Sequence, residues 1–255
     1  MLIVVPPSES KRPPVLDGAP VDIDGLSFPE LNDTRRAIVE ALIKTSGALD
    51  AFQRLQVRPS LAREVALNTR LLELPALPVL DLYTGPLHDG LDAARLSPRA
   101  AARAREEVIV TSAVWGALRP SDRIPPYRMH ICAHLRGMDG VARTWRDVLP
   151  DALADAAGDE LVLDLRSPVY QAAGGATGAS ERTVTLRVDH GPRGHRVGDV
   201  IAKRIRGEAA HQLLESGLEP ADPQALSELL ADRWPVRLEP PERDGKPWTM
   251  TLSVD

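Results

Sequence analysis

Cysteine is nearly absent from this sequence: Cys132 stands alone among 255 residues. That excludes an intrachain disulfide and a zinc site built on several thiolates, and it fits a reducing compartment. A single cysteine in such a chain is expected to be a buried structural residue rather than a nucleophile. Aromatic residues are also scarce, at 4%, so the core must rest on Leu, Val, Ile and Ala. No apolar run is long enough to span a bilayer, and Met1–Val5 is too short for a signal peptide and has no basic start. A cytoplasmic location with no membrane partner is the expectation.

Several standard chemical motifs are missing as well. There is no Walker-type phosphate loop, no GxGxxG after a strand and no GxSxG elbow. His130 and His134 stand four apart without the glutamate of an HExxH helix. Solvated histidines are expected there, and neither a metal nor another cofactor is expected. The net charge of −5 argues against a uniformly basic nucleic-acid coat but leaves room for a local cleft.

What the chain does have is an ordinary globular balance of 43% hydrophobic and 26% charged residues, with 23 prolines marking many fixed turns. Short apolar runs recur, and polar residues cluster just after them. Leu2–Val5 precedes Pro6-Pro7 and the loop Ser8-Glu9-Ser10-Lys11. Pro78–Tyr83 reads as a second buried strand, followed by Thr84-Gly85-Pro86. Val108-Ile109-Val110 is a third, and Leu161–Leu165 a fourth, ending in Arg166-Ser167-Pro168-Val169-Tyr170. After the third strand comes the densest segment, Trp115 to Met129. Pro120, Pro125 and Pro126 hold it on a fixed non-helical path, with Arg119, Asp122, Arg123, Tyr127 and Arg128 along it.

Helices are expected over residues 31–46 with Asn32 or Asp33 as cap, over 47–55, from 59 or 60 to 72, and over 99–107 behind a Ser97-Pro98 cap. Further helices are expected over 144–157 with a break at Pro150, over 199–214 and over 223–231. Residues 172–180 read as a mobile Gly/Ala loop, 183–188 as a half-exposed strand, 191–194 as a turn and 249–254 as a terminal strand. The fold class is therefore mixed α/β, a single compact domain over 1–255. It has a central buried sheet, surrounding helices and a basic cleft. If the four strands run parallel, their polar exits converge on one edge. The helix with Lys203, Arg204 and Arg206 would add cations. Such a cleft suits a phosphate or carboxylate, because arginine offers paired donors and stays charged.

The residues at these exits resemble the YaaA family. The resemblance is carried by the start through Lys11, by Leu82-Tyr83-Thr84-Gly85 and by the block from Trp115-Gly116-Ala117-Leu118-Arg119-Pro120 to Pro126-Tyr127-Arg128. Trp145-Arg146-Asp147, Asp164–Tyr170 and Lys203–Gly207 follow in the same order. It implies a cytoplasmic protein of the response to hydrogen peroxide and iron, an unusual mixed α/β fold with a basic cleft, and binding to DNA. It implies no assigned enzymatic reaction. By motif match the ligand-facing positions are Ser8, Lys11, Thr84, Arg119, Asp122, Tyr127, Arg128, Ser167, Lys203 and Arg206. Where similar proteins carry a Ser-His pair and an Asn before the matching lysine, this chain has Val197–Ala202.

Two functions follow as expectations. In a DNA-binding stress protein, Lys11, Arg119, Arg123, Arg128, Lys203, Arg204 and Arg206 would neutralise phosphates, with Ser8, Thr84 and Ser167 beside them. In an enzyme acting on a small anionic metabolite, a nucleotide or amino-acid derivative, Arg119 and Arg128 would hold the anion. Lys203, Tyr127 or Asp122 would then act as acid, base or nucleophile.

Overall fold

The computed structural model describes residues 1–174, 180–190 and 195–254. The chain opens with β1 (Leu2–Val5), then α1 (Asn32–Ser46), α2 (Ala51–Leu55), α3 (Ala62–Asn68), β2 (Leu77–Pro78), α4 (Val79–Leu82), α5 (Pro86–Leu91) and α6 (Pro98–Glu107). It continues through β3 (Val108–Ser112), β4 (Gly116–Leu118), β5 (Arg123–Ile124), α7 (Val141–Arg146), α8 (Leu149–Ala157), β6 (Val162–Asp164) and α9 (Pro168–Gly174). The last elements are β7 (Thr183–His190), β8 (His195–Arg196), α10 (Asp199–Ser216), α11 (Pro223–Ala231), β9 (Val236–Glu239) and β10 (Trp248–Val254).

One mixed sheet of eight strands organises these elements in the order β4-β3-β1-β6-β7-β10-β9, with β8 paired to β7 off that path. β3, β1, β6, β7 and β10 run parallel, and β4 and β9 turn back along the two edges. Leu2–Val5 and Val108–Val110 are buried throughout, as the unbroken apolar runs require of strands covered on both faces. The chain leaves β1 for β3 on one flank and later returns to β6 on the other. That reversal opens a crevice beyond the carboxyl ends of β1 and β6, where ligands bind in open α/β sheets.

Most of the expected elements are present. Ser97 caps α6 by accepting from the Ala100 N–H. The break expected at Pro150 falls between α7 and α8, and Pro150 sits in the first turn of α8, where its missing N–H costs nothing. α1 begins at Asn32, but its cap is Leu31 and no side chain closes it.

Other expectations are corrected. Pro78–Tyr83 is not a buried strand of the main sheet. Leu77–Pro78 pairs with β5 in a separate two-stranded sheet, Val79–Leu82 coils into one helical turn, and Tyr83 makes an isolated bridge to Lys11. A short apolar run has no period long enough to separate the two outcomes. The segment after β3 keeps the expected non-helical path, with Gly116–Leu118 folding back as β4. Gly116 makes this possible: its φ is +71°, and a Cβ would lie 2.6 Å from the Trp145 ring. Cys132 is exposed, not buried. Of the loop expected at 172–180, residues 172–174 belong to α9, and positions 175–179 and 191–194 lie outside the described residues.

Candidate functional site

The crevice beyond β1 and β6 has a volume of about 360 Å³. Pro6 to Ser10 form one wall, Ser167, Val169 and Tyr170 another, and Leu87, His88, Asp199, Lys203 and Arg206 close it from α5 and α10. α5 and α10 pack backbone to backbone. A Cβ on Gly90 would lie 2.2 Å from the Arg204 carbonyl, and one on Gly207 would lie 2.0 Å from that of Leu87. Only glycine permits that approach, and it brings Lys203 and Arg206 to the crevice. A second depression, about 540 Å³, adjoins the first across Glu9 and Ser10 and is lined by Lys11, Arg12, Arg63, Tyr127 and Arg128.

Lys11 stands behind the shared wall. A bridge to Tyr83 and the Thr84 N–H bond to the Ser10 carbonyl (3.1 Å) fix its main chain. Its ammonium lies 4.1 Å from the centre of the Tyr127 ring and 5.2 Å from that of Tyr83, and donates to the Ser8 carbonyl at 2.8 Å. The residue keeps some exposure, yet the amine is enclosed. Burial first, and then the Arg128 charge, lower its pKa to about 7, against a smaller opposing pull from Glu9. Arg128 itself grips Glu9, donating to its carbonyl (2.7 Å) and its carboxylate (2.9 Å).

The rings around Lys11 carry a chain of hydroxyls. Ser112 Oγ accepts from the Val114 and Trp115 N–H groups and lies 2.9 Å from the Tyr127 hydroxyl, which lies 3.0 Å from that of Tyr83. With its lone pairs taken, Ser112 donates to Tyr127. One phenol proton of the Tyr83–Tyr127 pair is then left for another acceptor. Burial raises the pKa of Tyr83, Tyr127 and Tyr170, so all three stay neutral donors. His88 is buried beside Tyr83, with ring centres 5.3 Å apart. A carbonyl can only accept, so His88 Nε2 donates to Pro6 O at 3.3 Å, and the buried Nδ1 has no partner among the described residues. Burial lowers the His88 pKa to about 4, which keeps the ring neutral.

The residues singled out in the sequence divide between two places. Ser8, Ser167, Lys203 and Arg206 line the crevice, and Lys11, Tyr127 and Arg128 line its neighbour. Thr84 holds the wall through its main chain. Lys203 is half exposed and paired with Asp199 at 2.6 Å, while Arg206 Nε donates to the Leu186 carbonyl at 3.1 Å. Arg204 faces out and pairs with Glu208.

Arg119, Asp122 and Arg123 are not brought to this place, because β4 carries the chain back to the amino end of β3. Arg119 donates to the Glu106 carbonyl just before β3. Asp122 accepts from the Ser27 N–H and hydroxyl and from the Arg119 N–H, at 2.8–3.0 Å, and reaches neither depression. Arg123 donates to the Ala76 carbonyl at 2.8 Å. Among the described residues no cluster of His, Cys, Asp and Glu is arranged to hold a metal. No helix among them is long and apolar enough to cross a membrane.

The sequence reading missed His88 and Tyr83 as groups around the amine. It also missed Arg35, which is fully buried and donates to the carbonyls of Trp115, Ala117, Ser27 and Phe28 and to Asn32. A charged residue on the apolar face of α1, level with Ile38, Val39 and Leu42, was the available signal for Arg35.

The chain that carries this site matches a known family over most of its length. The family model described as Peroxide stress protein YaaA covers residues 1–237. The chain belongs to the YaaA family. A UPF0246 protein of Streptomyces coelicolor is 38% identical, over 100% of this chain and 98% of its own. UPF0246 proteins of Corynebacterium efficiens and Corynebacterium glutamicum are 39% and 34% identical, each over 86% of this chain and 87% of their own.

Proposed function

We propose that this chain serves the peroxide-stress role for which its family is named by binding a phosphate- or carboxylate-bearing ligand of about nucleotide size. The ligand sits in the crevice beyond β1 and β6. One observation carries this reading: the sheet's switch point opens on Ser8, Ser167, Lys203 and Arg206, with the Lys11 amine behind the adjoining wall. The two depressions, at about 360 and 540 Å³, have the size of small-molecule sites. Ser8 and Ser167 donate to the ligand, Lys203 and Arg206 face its charge, and Arg128 holds the Glu9 wall.

A broad duplex-binding face is less well supported. Counterion release needs cations free to meet phosphates. Here Arg128, Lys203 and Arg204 are shared with Glu9, Asp199 and Glu208, and Arg119 and Arg123 lie elsewhere. A DNA-binding reading keeps one specific support. Arg12, Arg63 and Arg128 in one depression and Lys203 and Arg206 in the other could follow a single strand across the Glu9–Ser10 wall.

The two readings separate in one series. Mononucleotides are titrated by calorimetry, and a fluorescent single strand and duplex by anisotropy, at about 50 and 200 mM salt. The small-ligand reading expects saturable mononucleotide binding with a shallow salt dependence, blocked by Lys203→Ala with Arg206→Ala. Tight DNA binding that falls steeply with salt, with no mononucleotide binding, would replace it with the DNA reading.

A further inference from the structure

We propose that Lys11 is a covalent attachment point: its ε-amine condenses with the carbonyl group of an anionic aldehyde or keto acid to form an imine. The proposal deepens the anion-site reading and rests on it for the identity of the substrate, but not for the reactivity of the amine.

Three features of its surroundings carry the argument. The amine is enclosed by two aromatic rings and among the described residues makes one hydrogen bond, to the Ser8 carbonyl. Among the described residues no carboxylate pairs with it, because Glu9, the acid of its own loop, is drawn to Arg128. And it lines a depression that also presents Arg12, Arg63 and Arg128, donors suited to the carboxylate or phosphate of the same substrate. Burial and the Arg128 charge lower its pKa and Glu9 raises it, while His88 on α5 and the phenols of Tyr83 and Tyr127 stand beside it as neutral groups. Together they leave a large share of the amine neutral near pH 7, as a nucleophilic lysine requires. Lys203, by contrast, is half exposed and held by Asp199.

The chemistry balances without an oxidant or reductant. The neutral amine adds to the carbonyl carbon, and a proton passes from nitrogen to oxygen to give a carbinolamine. A phenol proton from the Tyr83–Tyr127 pair joins the departing hydroxyl, so water leaves and an iminium and a phenolate remain. The iminium returns its proton to the phenolate, and the sum is amine plus carbonyl giving imine plus water. While charged, the iminium faces the two rings that already flank the amine.

The test uses the full chain and two probes, pyridoxal 5′-phosphate as a phosphate-bearing aldehyde and glyoxylate as a smaller carboxylate one. Imines are trapped with borohydride across the neutral range and mapped by peptide mass spectrometry. The chain has four lysines: Lys11, Lys44, Lys203 and Lys246. Lys11 is expected to be labelled at least about tenfold faster than the other three near pH 7, because an ordinary lysine is almost wholly protonated there. Inorganic phosphate should slow that labelling, and Arg128→Ala should slow it further. Even labelling of all four lysines by both probes, or labelling of Lys11 only in strong alkali, would overturn the proposal. If mononucleotides bind and Lys11 stays unlabelled, the anion-site reading survives and this one falls. If Lys11 is labelled and no mononucleotide binds, the reverse holds.

Discussion

Along the outer edge of β4, Arg35 is buried with five acceptors around it, whereas beyond β1 the Lys11 amine is enclosed with one. Both are cations removed from water, and both have lowered pKa values, Arg35 to about 10 and Lys11 to about 7, with burial as the first cause in each. The outcomes differ because the partners differ. Arg35 stays charged at neutral pH and ties Trp115, Ala117, Ser27 and Phe28 together at an edge strand that would otherwise show bare carbonyls. Lys11 is left partly neutral, with a nucleophilic lone pair. A buried charge with a full set of partners is architecture; one with a deficit is a candidate for chemistry.

The largest effect expected from breaking this contrast is at Arg35. Arg35→Met leaves four main-chain carbonyls without their donor and should cost roughly 3–5 kcal/mol, read from urea denaturation. Gly116→Ala comes next. The new methyl group meets Trp145 and sits at a positive φ, so a loss of about 2–4 kcal/mol is expected in the same assay.

His88 gives a pH signature on the crevice side. Its folded pKa is depressed to about 4 from an ordinary value of 6.5, so the unfolded chain binds the extra proton between those values. Stability is therefore whole above pH 6.5 and falls by about 2–3 kcal/mol as pH drops toward 4. His88→Gln should remove that contribution to the slope, and an unchanged slope would contradict a buried neutral ring.

Lys11 should act on stability with the opposite sign to Arg35. Its folded pKa is also depressed, so the wild type gains stability as pH rises from about 7 toward 10.5. Lys11→Met should be at least as stable as the wild type at neutral pH and should lack that alkaline gain. A large loss of stability would move Lys11 to the architectural side of the comparison.

The parts of this contrast that local sequence could reveal are those decided by near neighbours. Leu2–Val5, Val108–Val110 and Leu161–Leu165 announce buried strands by apolar runs stopped by proline or polar residues, and Ser97-Pro98 announces α6. Ser8, Lys11, Tyr127 and Arg128 follow as exit residues. Contacts between distant residues stayed hidden. β4 depends on a glycine lying against Trp145 and on an arginine some 80 residues earlier in the chain, so nothing near Gly116 separates a hairpin from a loop. The same fold-back takes Arg119, Asp122 and Arg123 from the site, though Tyr127 and Arg128, a few residues on, reach it. His88 became part of the site only because Tyr83 and the Pro6 carbonyl pack against it.

The most direct test of the central claim compares both ends of that segment in one titration. Calorimetric binding of a mononucleotide, AMP, is measured for Arg128→Ala and Lys203→Ala against Arg119→Ala and Arg123→Ala. A site at the carboxyl ends of β1 and β6 predicts that the first pair weakens binding by about tenfold, or about 1.4 kcal/mol, and the second pair leaves it unchanged. Loss of binding in the second pair with none in the first would place the ligand at the other end of the sheet and contradict the account.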